Sequence, residues 1–165
     1  MEASIRSINL IYAVSLVAAK DPAVGAKFST LAFDMREHGI FIERNLEIGS
    51  DKQGLVTGNH YLANLAGLAC IGMAFTTLPE AARWKSVGLR GLQNEANRQV
   101  LPDGLWWEGS TSYHRLAFEF FVIPALMADR SNVQMGQPFW NILERMTEVI
   151  FHLTGPQGQV AVIGD

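Results

Sequence analysis

The sequence predicts an all-α fold, built of helical hairpins that form part of an incomplete (α/α) toroid. Three observations carry that expectation. Apolar residues recur at helical spacing in six segments, and an extended pattern is confined to the tail. Pro and Gly mark the points where those segments break. The segments also alternate in character. Amphipathic helices flank helices that are apolar nearly all round, as in a two-layered array whose inner helices are covered on every side. Periodicity by itself equally allows an ordinary six-helix bundle.

The first helix is expected from Glu2 to Ala19, with Ile5, Ile8, Ile11, Tyr12, Ser15 and Leu16 at helical spacing. Asp21-Pro22 ends it, and Pro22 suits the start of the second helix, which runs to about Asn45. Phe28, Leu31, Met35 and Ile42 form its apolar face, and Gly39 is a weak point within it. Ile48 to Gly58 is expected as a polar loop. The third helix, Asn59 to Phe75, is apolar nearly all round. The fourth, Pro79 to about Val100, carries Glu80, Arg83, Lys85, Arg90, Glu95 and Arg98 and so reads as an outer, half-exposed helix. Leu101 to Gly109 is a loop that turns at Asp103-Gly104. The fifth helix, Ser110 to Asp129, is again apolar and holds Pro124, which should kink it. The sixth covers Pro138 to Leu153, and Gly155 to Asp165 is a turn leading into an extended segment, Val160 to Ile163.

The 165 residues fit one domain, 1–165, and a chain of this size buries roughly two-thirds of its unfolded surface. A net charge of −3 without a basic cluster excludes the footprint of a nucleic-acid binder. It leaves a polyanionic substrate open, since that needs only a few local cations or polar donors. The single cysteine, Cys70, sits in an apolar stretch and reads as a core residue; no internal disulfide or Cys-rich metal site can form. Residues Met1 to Arg6 lack the pattern of a secretory signal, although such a signal could precede them. Tyr61 to Pro79 is uncharged, but Asn64, Gly67, Gly72, Thr76 and Thr77 make it a buried helix rather than a membrane span.

Two dipeptides stand where a loop delivers polar side chains to the start of an apolar helix: Asn59-His60 and Tyr113-His114. If those helices are inner neighbours, their N-terminal ends can share one cleft. Helix N-termini also favour anions. Each residue has a plain structural alternative. Asn59 can be an N-cap, and Ser110, Thr111 or Ser112 can cap the fifth helix. His60 and His114 can be half-buried histidines, and Tyr113 a packing residue. Trp106 and Trp107 offer platforms for the apolar faces of sugar rings, with Glu108 placed to hold hydroxyls. Alternatively, one or both indoles fill gaps between helices. His38 and His152 have no second ligand at metal-binding spacing and read as unrelated to chemistry.

Several runs then resemble one family. Gly58-Asn59-His60-Tyr61-Leu62 through Gly67-Leu68 resembles the NNHL…GL signature of heparinase II/III-like polysaccharide lyases, a group with alginate lyase-like relatives. Pro79-Glu80-Ala81-Ala82-Arg83-Trp84 resembles their PEAARW segment. Gln99 to Gly104, then Glu108-Gly109-Ser110-Thr111-Ser112-Tyr113-His114, resembles their Q-x-x-x-D-G…E-x-S…Y-H signature. Order and spacing together cover essentially the whole chain.

The resemblance implies cleavage of a uronic-acid polysaccharide by β-elimination. A base takes the proton from the carbon beside the carboxylate, and the glycosidic oxygen leaves from the neighbouring carbon. That requires the carboxylate neutralised, a base, and an acid for the leaving oxygen. By the match, Asn59 and His60 neutralise the carboxylate, Tyr113 is the general acid and in some members also the base, and His114 supports it. The resemblance places a further catalytic His or Tyr, and β-sandwich domains that often hold a structural metal, beyond this chain. It thus implies an N-terminal piece, inactive alone, without a cofactor of its own, and packed against the remainder of the toroid. An exposed apolar edge on the inner helices follows from that, and the family points to a periplasmic or secreted setting. Two other functions stay open: a non-catalytic carbohydrate-binding or structural module, and a hydrolase. The hydrolase is disfavoured because only Glu108 joins the polar candidates where two carboxyl groups are needed.

Overall fold

A computed structural model describes residues 1–21, 23, 28–51 and 54–164. The helix start expected at Pro22, the side chain of Phe28 and the terminal Asp165 lie outside the described residues. Six helices occur among those described: α1 (Glu2–Ala18), α2 (Phe28–Arg44), α3 (Asn59–Ala74), α4 (Ala81–Gln99), α5 (Thr111–Arg130) and α6 (Gln137–Leu153). The segment expected as a plain loop between α2 and α3 holds a short antiparallel hairpin, β1 (Gly49–Asp51) with β2 (Gly54–Val56), in the register Ser50 opposite Leu55. The chain divides into two compact units, Met1–Leu89 and Arg90–Asp165, with the boundary inside α4.

In the first unit α3 is the central element. Leu62, Leu65, Leu68 and Ile71 are fully enclosed, as an all-round apolar sequence requires. The helix facing it is laid differently from the apolar periodicity of α1. The buried stripe of α1 is Ser4, Ser7, Ile8 and Ile11, while Tyr12 and Leu16 are exposed. Small residues decide this. A Cβ on Gly67 of α3 would lie 2.8 Å from the Cβ of Ser4, so the two backbones approach too closely for large side chains. The Ser7 hydroxyl donates to the Ala3 carbonyl at 2.7 Å and faces His38 Nδ1 at 3.0 Å, which removes the cost of burying it. α3 therefore shows no uncovered apolar edge, while α5 exposes Leu126; the large exposed apolar residues of the first unit lie on α1, on α2 and, as Ile48, in the segment before β1.

Gly39, expected as a weak point, is the seat of a tryptophan. A Cβ there would come within 2.4 Å of the Trp84 ring, and that indole is fully buried. Two bidentate ion pairs join α2 to the start of α4 and the turn before it: Arg36 with Glu80 at 2.5 and 3.0 Å, and Arg83 with Glu43 at 2.7 and 2.9 Å.

The second unit is built on aromatic edges. Trp106 meets Phe121 at 6.1 Å between ring centroids, and Phe121 meets Phe139 at 6.0 Å, both edge-to-face. α5 runs on through Pro124, which is buried. Pro138 stands in the first turn of α6, where its missing N–H costs nothing. The tail is extended as expected and folds back onto α5. Ala161 N–H donates to the Leu153 carbonyl at 3.0 Å, and Thr111 N–H to the Ile163 carbonyl at 3.0 Å. α4 is half-exposed, and Glu95 and Gln99 lie on its buried side.

Candidate functional site

Asn59 opens α3 but does not cap it. Gly58 holds the capping position in an extended conformation and has no side chain with which to cap. Asn59 is the first helical residue and is only 8% exposed, so helix capping does not account for its burial. Successive helical residues point about 100° apart. His60 accordingly faces another way, with 55% of its side chain exposed.

Glu47, in the segment before β1, meets that histidine. Its Oε1 lies 2.9 Å from His60 Nδ1, and its Oε2 accepts from Asn64 Nδ2 at 3.2 Å and from the Met1 ammonium. The Glu47 N–H donates in turn to Asn64 Oδ1 at 2.8 Å. Burial alone would raise the Glu47 pKa, but the bonds from the ammonium, His60 and Asn64 outweigh it and hold the carboxyl at about 2. Asn64 is 2% exposed and one helical turn after His60, on the same face.

Ser110 caps α5, accepting from the Tyr113 N–H at 3.3 Å. This leaves the half-buried Tyr113 side chain at the head of the helix. His114 is 1% exposed and turned inward. Its Nδ1 accepts from the Trp106 N–H at 3.1 Å, so the ring proton sits on Nε2 and is donated to the Met146 carbonyl at 3.0 Å. Burial lowers the His114 pKa, only partly offset by the Met146 carbonyl, and keeps the ring neutral. With both nitrogens engaged by main chain, His114 locks the Trp106 turn and α6 against the helix that carries Tyr113. Its geometry is that of a support, not of a group that touches substrate.

The two indoles separate. Trp106 is fully enclosed and cannot present a face to a sugar; it fills the gap between helices. Trp107 is 46% exposed. Its Nε1–H donates to Gln99 Oε1 at 3.0 Å, and its backbone N–H to the Gln99 carbonyl at 3.1 Å. Gln99 is itself bonded to Glu95, one turn earlier. Of the expected stacking surface, Trp107 is the part that reaches solvent, with half-buried Glu108 beside it. Beside the head of α5, Thr111, Ser112 and Arg115 face tail residues 160–162 across a cleft of about 290 Å³.

Asn59 and His60 belong to the first unit, and Trp106, Trp107, Glu108, Tyr113 and His114 to the second. Sequence reading missed Glu47 as a partner of His60. No spacing rule links a loop carboxylate to a helix start 13 residues later. Asn64 left a weak trace, an amide one turn after His60 within an apolar run. Among the described residues, no group of three or more His, Cys, Asp or Glu could hold a metal ion, and no helix is long and apolar enough to cross a membrane.

Known proteins resemble the chain as follows. The family model described as the heparinase II/III N-terminus matches residues 1–165. A heparin-sulfate lyase of Pedobacter heparinus is 27% identical over 110 residues, which are 66% of this chain and 17% of that relative. The crystal structure of heparan sulfate lyase HepC from Pedobacter heparinus matches with a TM-score of 0.67 at 24% identity, over 100% of this chain and 25% of that one. A heparinase III crystal structure matches with a TM-score of 0.73 at 20% identity, over 99% of this chain and 25% of that one. The chain thus spans about a quarter of the solved structures it resembles. Those matches establish the architecture, helical hairpins that form part of an (α/α) toroid. The family match covers every residue, and the chain belongs to the heparinase II/III family of polysaccharide lyases, as its N-terminal helical region.

Proposed function

We propose that the chain supplies substrate-binding and acid groups to a lyase that cleaves uronic-acid-containing polysaccharide by β-elimination. Asn59 and His60 neutralise the uronate carboxylate. That lets a base remove the neighbouring ring proton, because the charge that builds on the carboxylate as the carbanion forms is met by fixed donors. The electron pair left behind forms the ring double bond and breaks the bond to the glycosidic oxygen. The Tyr113 hydroxyl gives its proton to that leaving oxygen. Trp107 and Glu108 hold the flanking sugar. Trp106 and His114 stand behind this surface as its support.

One observation carries the reading: Gly58 holds the cap position of α3 and Ser110 that of α5, so neither Asn59 nor Tyr113 sits at the cap of its helix. The parent enzyme is expected to generate unsaturated uronyl ends, seen as rising ultraviolet absorbance on an acidic polysaccharide. Tyr113→Phe should lower turnover about a hundredfold or more with binding largely kept. Asn59→Ala should lower turnover as well. Near-normal rates in both variants would remove these roles.

This chain alone spans a quarter of its solved relatives, and catalysis needs every group placed at once. It should therefore bind acidic oligosaccharides weakly and in a salt-sensitive way, and cleave none. Titration calorimetry with matched acidic and neutral oligosaccharides separates the outcomes. Equal affinity for the two would mean that carboxylates are not recognised, which would leave a structural or general carbohydrate-binding module.

A further inference from the structure

Among the described residues, His60 has one ring nitrogen engaged, and more than half of its side chain is exposed. Nδ1 lies 2.9 Å from Glu47 Oε1, in a contact made at the partly exposed rim of α3. Glu47 is itself held at both ends by one buried amide. Asn64 Oδ1 accepts from the Glu47 backbone N–H at 2.8 Å, while Asn64 Nδ2 donates to Glu47 Oε2 at 3.2 Å. Asn64 Nδ2 also stands 3.4 Å from Ser4 Oγ, which ties the arrangement to the small-residue stripe of α1. The Met1 ammonium contacts the same carboxylate, on the Oε2 that Asn64 also bonds, while His60 faces Oε1.

An ionised carboxylate only accepts. The nitrogen facing it must therefore carry a proton, and in the neutral imidazole the second nitrogen is then a bare acceptor. We propose that Glu47 is a positioning residue for His60, fixing the ring in its Nδ1–H form and aiming Nε2 away from the protein at the bound sugar, with Asn64 as the anchor of Glu47. A charged imidazole held between two carboxylates donates one N–H to each, Nδ1–H to Glu47 and Nε2–H to a uronate carboxylate. A triad of Asn64, Glu47 and His60 would then bind the substrate carboxylate as an ion pair. The last step rests on the function proposed above; the positioning of the ring does not.

Nitrogen-15 NMR of the imidazoles in this chain tests the positioning without any ligand, with signals assigned by His60→Gln. In the neutral ring, His60 should show the Nδ1–H form. His114 is the internal contrast, because its Met146 and Trp106 contacts require the Nε2–H form. Glu47→Ala should shift the His60 population towards Nε2–H, and Glu47→Gln, whose amide oxygen still accepts, should retain Nδ1–H. An Nε2–H ring in the unaltered chain, or no change in Glu47→Ala, overturns the proposal. Calorimetry with an acidic oligosaccharide then reads the coupling. Glu47→Ala and His60→Ala should each weaken binding about tenfold, and the double variant no further. Additive losses would mean that Glu47 acts on binding by another route and would overturn its action through His60. If instead Asn59→Ala and His60→Ala leave the affinity unchanged while the tautomer result stands, carboxylate recognition by this site fails and the ring positioning survives.

Discussion

His114 shows how a single residue can look catalytic in sequence and be structural in place. It follows the candidate acid Tyr113, yet burial and two main-chain bonds leave neither nitrogen for a substrate. The opposite holds for His60, whose ring is exposed and, among the described residues, bonded at Nδ1 alone, by an acceptor. His114→Ala should leave the Trp106 N–H without its acceptor and open a cavity between the Trp106 turn and α6. We expect a loss of about 2–4 kcal/mol in stability, read as a lower urea midpoint with an unchanged slope. A shift under about 0.5 kcal/mol, the range of ordinary surface substitutions, would show that the two bonds hold nothing together. Cys70 makes the same point more simply. Complete burial pushes its thiol up to about 12, so it is a packing group and not a nucleophile.

At the level of elements, close helix approach is set by glycine and serine rather than by large apolar side chains. Ser4 of α1 meets Gly67 of α3, and Gly88 of α4 lets its backbone reach α3. A Cβ on Gly88 would stand 2.6 Å from the Leu65 carbonyl oxygen and 2.7 Å from the Ala69 nitrogen. Those are main-chain atoms inside a buried helix and cannot swing aside. Gly88→Ala should thus destabilise by about 1–3 kcal/mol, against the small gain in helix propensity that alanine brings on an open surface. Thermal unfolding of the variant checks this, and a raised midpoint would show that the helices can separate without cost.

At the scale of the whole molecule, stability should fall on the acid side in two stages. His114 is held below its ordinary value of 6.5, so the unfolded chain takes up the proton first and stability declines as pH drops below about 6.5. Glu47 is depressed from 4.5 to about 2, and its contribution is complete above pH 4.5 and lost as pH falls towards 2. Its side chain is 38% exposed, so solvent screening reduces that contribution to on the order of 1 kcal/mol. Urea midpoints measured from pH 8 to 3 should follow this course. In Glu47→Gln the lower stage should shrink while the upper one stays. A flat profile below pH 6 would contradict both assignments.

The sequence by itself determined the six helices, the order of buried and amphipathic segments, a hydroxyl cap among Ser110, Thr111 and Ser112, and the two polar helix starts. All of these depend on neighbours within a turn or two, which spacing reveals. It also carried the motifs that set the family. Only the tertiary structure decided which face of α1 is buried, because Ser4 and Ser7 won that place through the nearness of α3, against the pull of Tyr12 and Leu16. It also decided which indole is a surface. Trp106 and Trp107 are adjacent and chemically alike, yet one is enclosed beside Phe121 and the other turns its edge to Gln99. The Glu47–His60 contact belongs to the same class. It joins a loop to a helix through a buried amide, and contacts between elements leave no period in the chain from which to read them.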